Sequence, residues 1–346
     1  MQATQRAARR EATERAAHLS ALRLVATTSL LRTGTAWLLP RAGAAGWWGT
    51  LLCALPAAAV YLLLWGGMRL SREKTLQSAL LARRGPWAEV LLRAVTALCL
   101  LAEGLFAMTT LVTLLDEGVG IAVSPLALAV GTAALLAFCL VEDGLARGVV
   151  LVRWPVVALL LWLVWEALPR MEATNLFPLL GEEEGALLRT VAPCVGAMWP
   201  VVLLVQVQAP EGRRCGRGWV FPLCAILPLL ATTLVIPHEV LTLRTGLAES
   251  LLVPGAFLSA MGRTLLMCLW MLLMALSCVV CASGAARAAR GCHAPWLAGG
   301  ALAAFALAQG LGAERIVQAL RAVQPWLLTP WLLVAALLFF PKRRKR

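Results

Sequence analysis

Leu30-Leu31-Arg32-Thr33-Gly34-Thr35-Ala36-Trp37 is the stretch on which the reading of this chain turns. It interrupts an apolar run from about Leu19 to Pro40, long enough to cross a bilayer, which takes about 20 mostly apolar residues. A second interruption, Pro193-Cys194-Val195-Gly196 with Pro200 close behind, falls in the run from Leu187 to Ala209. An interrupted helix exposes backbone N–H and C=O groups that lipid cannot satisfy but a polar ligand or water can. Gly and Pro are also commoner in membrane helices generally, where they only kink. Two such breaks at equivalent positions favour a site over a kink.

Working outward, eight further apolar runs accompany these two: Trp47–Met68, Trp87–Leu115, Ile121–Val141, Gly148–Leu168, Trp219–Pro237, Phe257–Ala285, Trp296–Leu311 and Trp326–Phe340. With 60% of its 346 residues hydrophobic and only 14% charged, the chain does not fit a soluble enzyme, a secreted disulfide scaffold or a disordered tail. Ten spans divide as five and five around an acidic loop carrying Glu182-Glu183-Glu184. Five is odd, so the second half enters the membrane from the opposite side. The expected fold is an all-α polytopic membrane protein: ten transmembrane helices in a 5+5 inverted repeat (LeuT-like) with broken helices 1 and 6. Its expected parts are a cytosolic segment (1–17), a first five-helix repeat (18–168), an extracytoplasmic loop (169–186), a second repeat (187–340) and a basic cytosolic tail (341–346). No cleavable signal peptide is expected, because the first residues are polar and basic.

The charges orient these spans. Lys and Arg number 31 against 18 Asp and Glu, a net +13. With both termini in the cytosol, most cations fall inside, from Arg6 to Arg15, between Arg69 and Arg84, at Arg213, Arg214 and Arg217, and in the tail. Arg41, Arg170, Arg244, Arg315 and Arg321 remain outside beside Asp116, Glu117 and the Glu182–Glu184 run. That is the positive-inside bias, so the excess charge orients the protein and does not point to nucleic acid.

Glu103, near the middle of the third span, is costly at that depth; it either lies on a proton or ion path or is structural, hydrogen-bonded to another helix. Arg32 holds a carboxylate ligand, pairs with Glu103, or snorkels to the interface. Arg263 reads as a helix-end snorkeller, and Arg93 and Glu166 as span-end residues without a function. Thr33, Gly34 and Thr35 at the first break, with Pro193, Val195 and Gly196 at the second, complete the candidate ligand-binding set. No metal site or cofactor is expected. Cys278 and Cys281 form a C-x-x-C, but the three histidines are remote from it in sequence. The chain has no P-loop, no G-x-S-x-G and no H-E-x-x-H, so it is not expected to be an enzyme.

Three stretches carry a resemblance. They are Trp48-Gly49-Thr50-Leu51-Leu52 through Arg72-Glu73-Lys74-Thr75-Leu76, Asn175-Leu176-Phe177-Pro178-Leu179-Leu180-Gly181, and Phe257 to Arg263 leading into Cys268-Leu269-Trp270. Together they resemble the spore-germination permease family, the B-type membrane subunit of nutrient germinant receptors. That family is a branch of the amino acid–polyamine–organocation transporter superfamily. The resemblance implies a multi-pass protein of the spore inner membrane assembled with A-type and C-type subunits. It also implies a small nutrient, such as an amino acid, bound near the breaks of helices 1 and 6. Many members carry a polar or acidic residue just after the sixth-helix break, where this chain has Met198-Trp199-Pro200. Two other readings stay open: a proton-coupled amino-acid transporter of the same superfamily, and a ligand-blind scaffold subunit.

Overall fold

Pro40 and Gly43 close the first helix and send the chain back on itself. In the computed structural model, which describes residues 19–71, 73, 75–121, 124, 144–179, 185–207, 225–243, 247–289 and 319–339, every regular element is helical. Helix α1 (residues 19–42) is α-helical up to residue 33, passes through a π turn at Gly34–Leu38 and ends in the short turn Leu39–Ala42. A 3-10 turn, Gly43–Ala45, leads into α2 (Gly46–Ser71). The helical stretch Leu19–Ser71 is 53 residues long. Laid straight it would measure about 80 Å, against a hydrocarbon core of about 30 Å. Instead it folds into a hairpin. Gly43 takes φ +50, and a Cβ on Gly34 would stand 3.0 Å from Thr50 Oγ1, sixteen residues later.

The remaining elements follow in order. Amphipathic α3 (Leu76–Arg84) precedes α4 (Pro86–Thr113), which continues through a π turn at Leu114–Gly118. Helix α5 is Gly144–Ala167. Helix α6 (residues 186–207) starts at Ala186–Val191, runs as a 3-10 helix over Ala192–Leu203 and ends at Leu204–Val207. Helix α7 (Ile226–Val235) and two short helices, α8 (His238–Thr242) and α9 (Leu247–Leu252), lead to α10 (Ala260–Ala289). Helix α11 (residues 319–339) contains the 3-10 turn Gln324–Leu328.

Among the described residues, four stretches are long and apolar enough to cross a membrane: Leu19–Ser71, Pro86–Gly118, Ala260–Ala285 and Ala319–Phe339. The expected fourth and ninth spans, the 1–17 segment, the Glu182–Glu184 run and the basic tail lie outside the described residues. The surface is apolar where a soluble protein's would be polar. Leu98 on α4 is 67% exposed and Trp165 on α5 is 71% exposed, while Arg32 and Glu103 are each 2% exposed. Large apolar side chains exposed on the helices, with an ion pair buried between them, match lipid as the surrounding solvent.

Close packing holds the helices together, since lipid tails leave little hydrophobic force between them. Helices α4 and α10 form the most extensive pair, and small residues set their approach. Cys278 Sγ lies 3.5 Å from Gly104 O, a Cβ on Gly104 would meet Cys281 Cβ at 3.4 Å, and one on Gly284 would meet Leu100 Cδ1 at 3.0 Å. At one end of the bundle α3 is held by its own cap, with Thr75 and Ser78 bonding reciprocally to each other's backbone N–H. Arg84 Nε then donates to Leu337 O at 2.9 Å, and Arg83 donates to Leu338 O, so two cations cover the C-terminal carbonyls of α11.

Asn175, which opens the second of the stretches quoted above, donates through Nδ2 to Leu234 O at 3.0 Å. The backbone N–H of Glu172 donates to the same oxygen at 2.9 Å. The connection after α5 thus caps α7, whose last carbonyls lose their partners as the chain turns at Pro237.

Candidate functional site

Glu103 sits 17 residues into α4, about 26 Å along a helix of about 42 Å, so its carboxylate is far from either end. Arg32 reaches it from α1. Arg32 Nη2 donates to Glu103 Oε1 at 2.8 Å, and both side chains are almost wholly buried. The guanidinium also lies over the Phe106 ring, 5.0 Å from its centroid. Phe106 and Glu103 are three residues apart on α4, hence on one face, so a single helix offers Arg32 both a carboxylate and an aromatic ring.

Helix α6 closes the site. Ser29, one turn before Arg32, donates through Oγ to Ala197 O at 2.7 Å. The Ser29 hydroxyl and the Trp199 indole both lie beside the Glu103 carboxylate. Trp199 in turn stacks on Trp331 of α11, with ring centroids 6.2 Å apart and planes 10° from parallel. On the far side, Cys278 and Cys281 of α10 pack against Gly104. Four helices, α1, α4, α6 and α10, therefore meet at one buried ion pair, and α11 backs the α6 side through Trp331.

Several polar atoms here are buried and make no hydrogen bond within the protein: Arg32 Nη1, Thr28 Oγ1, Thr33 Oγ1, Trp199 Nε1 and Ser277 Oγ. An unpartnered buried polar group costs about 1–3 kcal/mol, and a charged one more. Native cores hold few such atoms. Three of the five fall between residues 28 and 33 of α1, on and beside Arg32 in sequence, and Trp199 lies next to the Glu103 carboxylate, which marks the centre as a place suited to polar guests.

Of the candidates named from sequence, Arg32 and Glu103 are brought together, so Arg32 takes the second of its three readings. Thr33 is buried beside the pair in sequence, with its hydroxyl unpartnered. Thr35 turns its Oγ1 back to Leu31 O at 2.7 Å, a bond within its own helix. Gly34 faces Leu229 and Thr50. Pro193 is exposed and Val195 half-buried. Gly196 is buried because the backbone of α11 presses on it: a Cβ there would fall 1.6 Å from Gln324 O.

At the two interruptions the helices change form: the first is a π turn and the second a 3-10 run. Leu39 N–H donates to Gly34 O, five residues back, as a π turn requires. Helix α6 tightens into a twelve-residue 3-10 segment. Such runs seldom exceed four residues. Both devices change the helical pitch while keeping the chain helical, which lipid rewards over unwinding.

Arg263 is exposed near the start of α10, as a snorkelling residue would be. Arg93 pairs with Glu89 on its own helix, and Glu166 Oε2 accepts from Ser259 N at 3.4 Å.

Ser29, Phe106 and Trp331 escape the sequence reading, and Trp199 enters it only within Met198-Trp199-Pro200. Ser29 and Phe106 were accessible through helical spacing from Arg32 and Glu103. The two tryptophans sit within apolar runs and differ in no visible way from interfacial ones. No family model matches the chain, and no curated protein sequence is similar to it at a significant level.

Proposed function

We propose that this protein is the membrane subunit of a nutrient-germinant receptor, binding a small amino acid at the Arg32–Glu103 centre. One observation carries the reading: a buried cation and a buried anion touch through one nitrogen and one oxygen, with unpartnered donors around them. A zwitterion offers a carboxylate to Arg32 and an ammonium to Glu103. It can therefore open the pair while leaving neither charge bare, an exchange that a purely anionic or purely cationic guest cannot make. Trp199 Nε1, beside the pair, supplies a neutral donor for a carboxylate oxygen.

The packing supports the ten-helix inverted repeat behind this reading. Helix α1 meets α6 at Ser29 and Ala197, and α4 packs along α10. In the expected numbering these pairs are helices 1 with 6 and 3 with 8, the partners that a 5+5 two-fold relates. The spore inner membrane, cytosolic termini and A-type and C-type partner subunits belong to the same proposal and rest on the resemblance of the quoted motifs. Opening the ion pair would shift α1 against α4, and partner subunits would read that shift.

Glu103 favours a second reading, proton-coupled amino-acid transport, because a carboxylate released from its arginine is a proton acceptor at membrane mid-depth. The test begins with purified protein and a panel of amino acids. At least one should raise the unfolding midpoint, and Arg32→Gln should abolish the effect. Spores lacking the gene should then fail to germinate on that amino acid. Absence of binding by every amino acid overturns both readings, whereas saturable uptake into proteoliposomes, lost in Glu103→Gln, selects transport.

A further inference from the structure

A second cationic centre lies where α1 turns into α2, distinct from the Arg32–Glu103 pair. Trp37, in the π turn, is buried, and two arginines lie on its ring. Arg321 of α11 places its guanidinium carbon 3.8 Å from the ring centroid, and Arg41 of α1 places its own at 5.5 Å. Arg41 also donates through Nη1 to Trp37 O at 3.2 Å, which ties its stem to the helix end. The two charged centres are therefore within about 9 Å of each other, a separation at which like charges repel appreciably near a protein surface.

Nothing among the described residues neutralises them. Neither arginine has a carboxylate partner, and Arg321 Nε is buried without any hydrogen-bond partner. Arg32, by contrast, has Glu103. Cys194 of α6 lies within electrostatic reach of both guanidiniums, so the centre is bounded by α1, α6 and α11. A cation–π contact does not consume a guanidinium's N–H groups, so both arginines retain donors for an anionic guest. Carboxylate and phosphate oxygens match the guanidinium's fork geometry.

We propose that Arg41 and Arg321, braced on Trp37, form an anion-binding site for a carboxylate- or phosphate-bearing group. The guest is either a soluble anion or the headgroup of an anionic lipid. The site is linked to α6 by packing: Gln324, three residues after Arg321, is the residue whose carbonyl presses on Gly196. An anion that fixes Arg321 thus also fixes the segment that abuts the 3-10 run of α6. The proposal does not depend on the amino-acid reading of the Arg32 centre.

The test uses the full-length protein in phosphatidylcholine nanodiscs, with inorganic phosphate as the probe and chloride at matched ionic strength as the control. Phosphate should raise the unfolding midpoint saturably and chloride should not. Arg41→Gln, an exposed change that leaves the core intact, should weaken the phosphate effect severalfold. Arg41→Gln with Arg321→Gln should weaken it at least about tenfold, as expected for the loss of charge-assisted bonds.

Nanodiscs of phosphatidylglycerol separate the two sources. A wild-type midpoint already raised there, insensitive to added phosphate and lowered by Arg41→Gln, identifies the headgroup as occupant. An equal response to phosphate in both lipids identifies a soluble anion. The proposal is overturned if phosphate acts no better than chloride while both lipids give the same midpoint. It is equally overturned if the double variant responds as the wild type does.

Discussion

Arg32 Nη2 and Glu103 Oε1, 71 residues apart in sequence, meet at 2.8 Å between α1 and α4, and both are shielded from solvent. Buried pairs of this kind gain their Coulomb energy against a large desolvation cost. Their net worth is therefore small, while the penalty for breaking one by halves is large.

Glu103→Leu alone should destabilise the protein by about 3–5 kcal/mol, because Arg32 is left charged and unpaired. The double change Arg32→Met with Glu103→Leu should recover most of that loss. Thermal unfolding in detergent measures both. A double variant no more stable than Glu103→Leu would mean that the pair is not what couples α1 to α4.

Gly196→Ala should be far more damaging than Gly34→Ala. The added Cβ at Gly196 meets backbone, 1.6 Å from Gln324 O, whereas at Gly34 it meets the end of the Leu229 side chain at 2.4 Å, which can turn aside. Overpacking costs about 1–3 kcal/mol and more when the obstacle cannot move. Yields of monodisperse protein and unfolding midpoints should rank wild type, Gly34→Ala and Gly196→Ala in that descending order.

His238→Ala should loosen the α1–α2 turn. His238 Nδ1 accepts from Ala44 N at 3.1 Å, and the ring fills the space over Gly43, where a Cβ would lie 2.1 Å from that same nitrogen. Losing the acceptor leaves a buried N–H unpaired, at about 1–3 kcal/mol. Faster hydrogen exchange at Ala44 is the direct readout, and unchanged exchange there would refute the assignment.

A membrane-permeant maleimide should distinguish Cys268 from its neighbours. Cys268 is exposed, whereas Cys53, Cys99, Cys194, Cys278 and Cys281 are buried. Mass spectrometry of briefly labelled native protein should find the adduct on Cys268 and on none of those five. Labelling at Cys278 or Cys281 would show that α10 does not pack on α4 as described.

Ends of helices were legible because their signals are local. Tryptophans 47 and 87 lie one residue from the observed starts of α2 and α4, and Pro40 lies two residues from the end of α1. The Arg32–Glu103 pair was legible as one of three alternatives, since two opposite charges in apolar surroundings have few ways to be satisfied. The form of the breaks was not. Gly34 and Gly196 announce that something comes close or that the pitch changes, but a glycine does not say what approaches. At Gly196 the answer is the Gln324 carbonyl, a backbone group from a remote helix whose position no side-chain pattern encodes. The Trp199–Trp331 stack was hidden for a related reason: apolar residues in an apolar run carry no contrast.

The 3-10 segment of α6 has a mechanical meaning beyond its packing. Twelve residues rise about 24 Å in this form and about 18 Å as an α-helix. The segment therefore spans about 6 Å more than the same residues would as an α-helix. Gly196 lies inside that segment and bears on the Gln324 carbonyl, so the seam with α11 is where a change in its length would be transmitted.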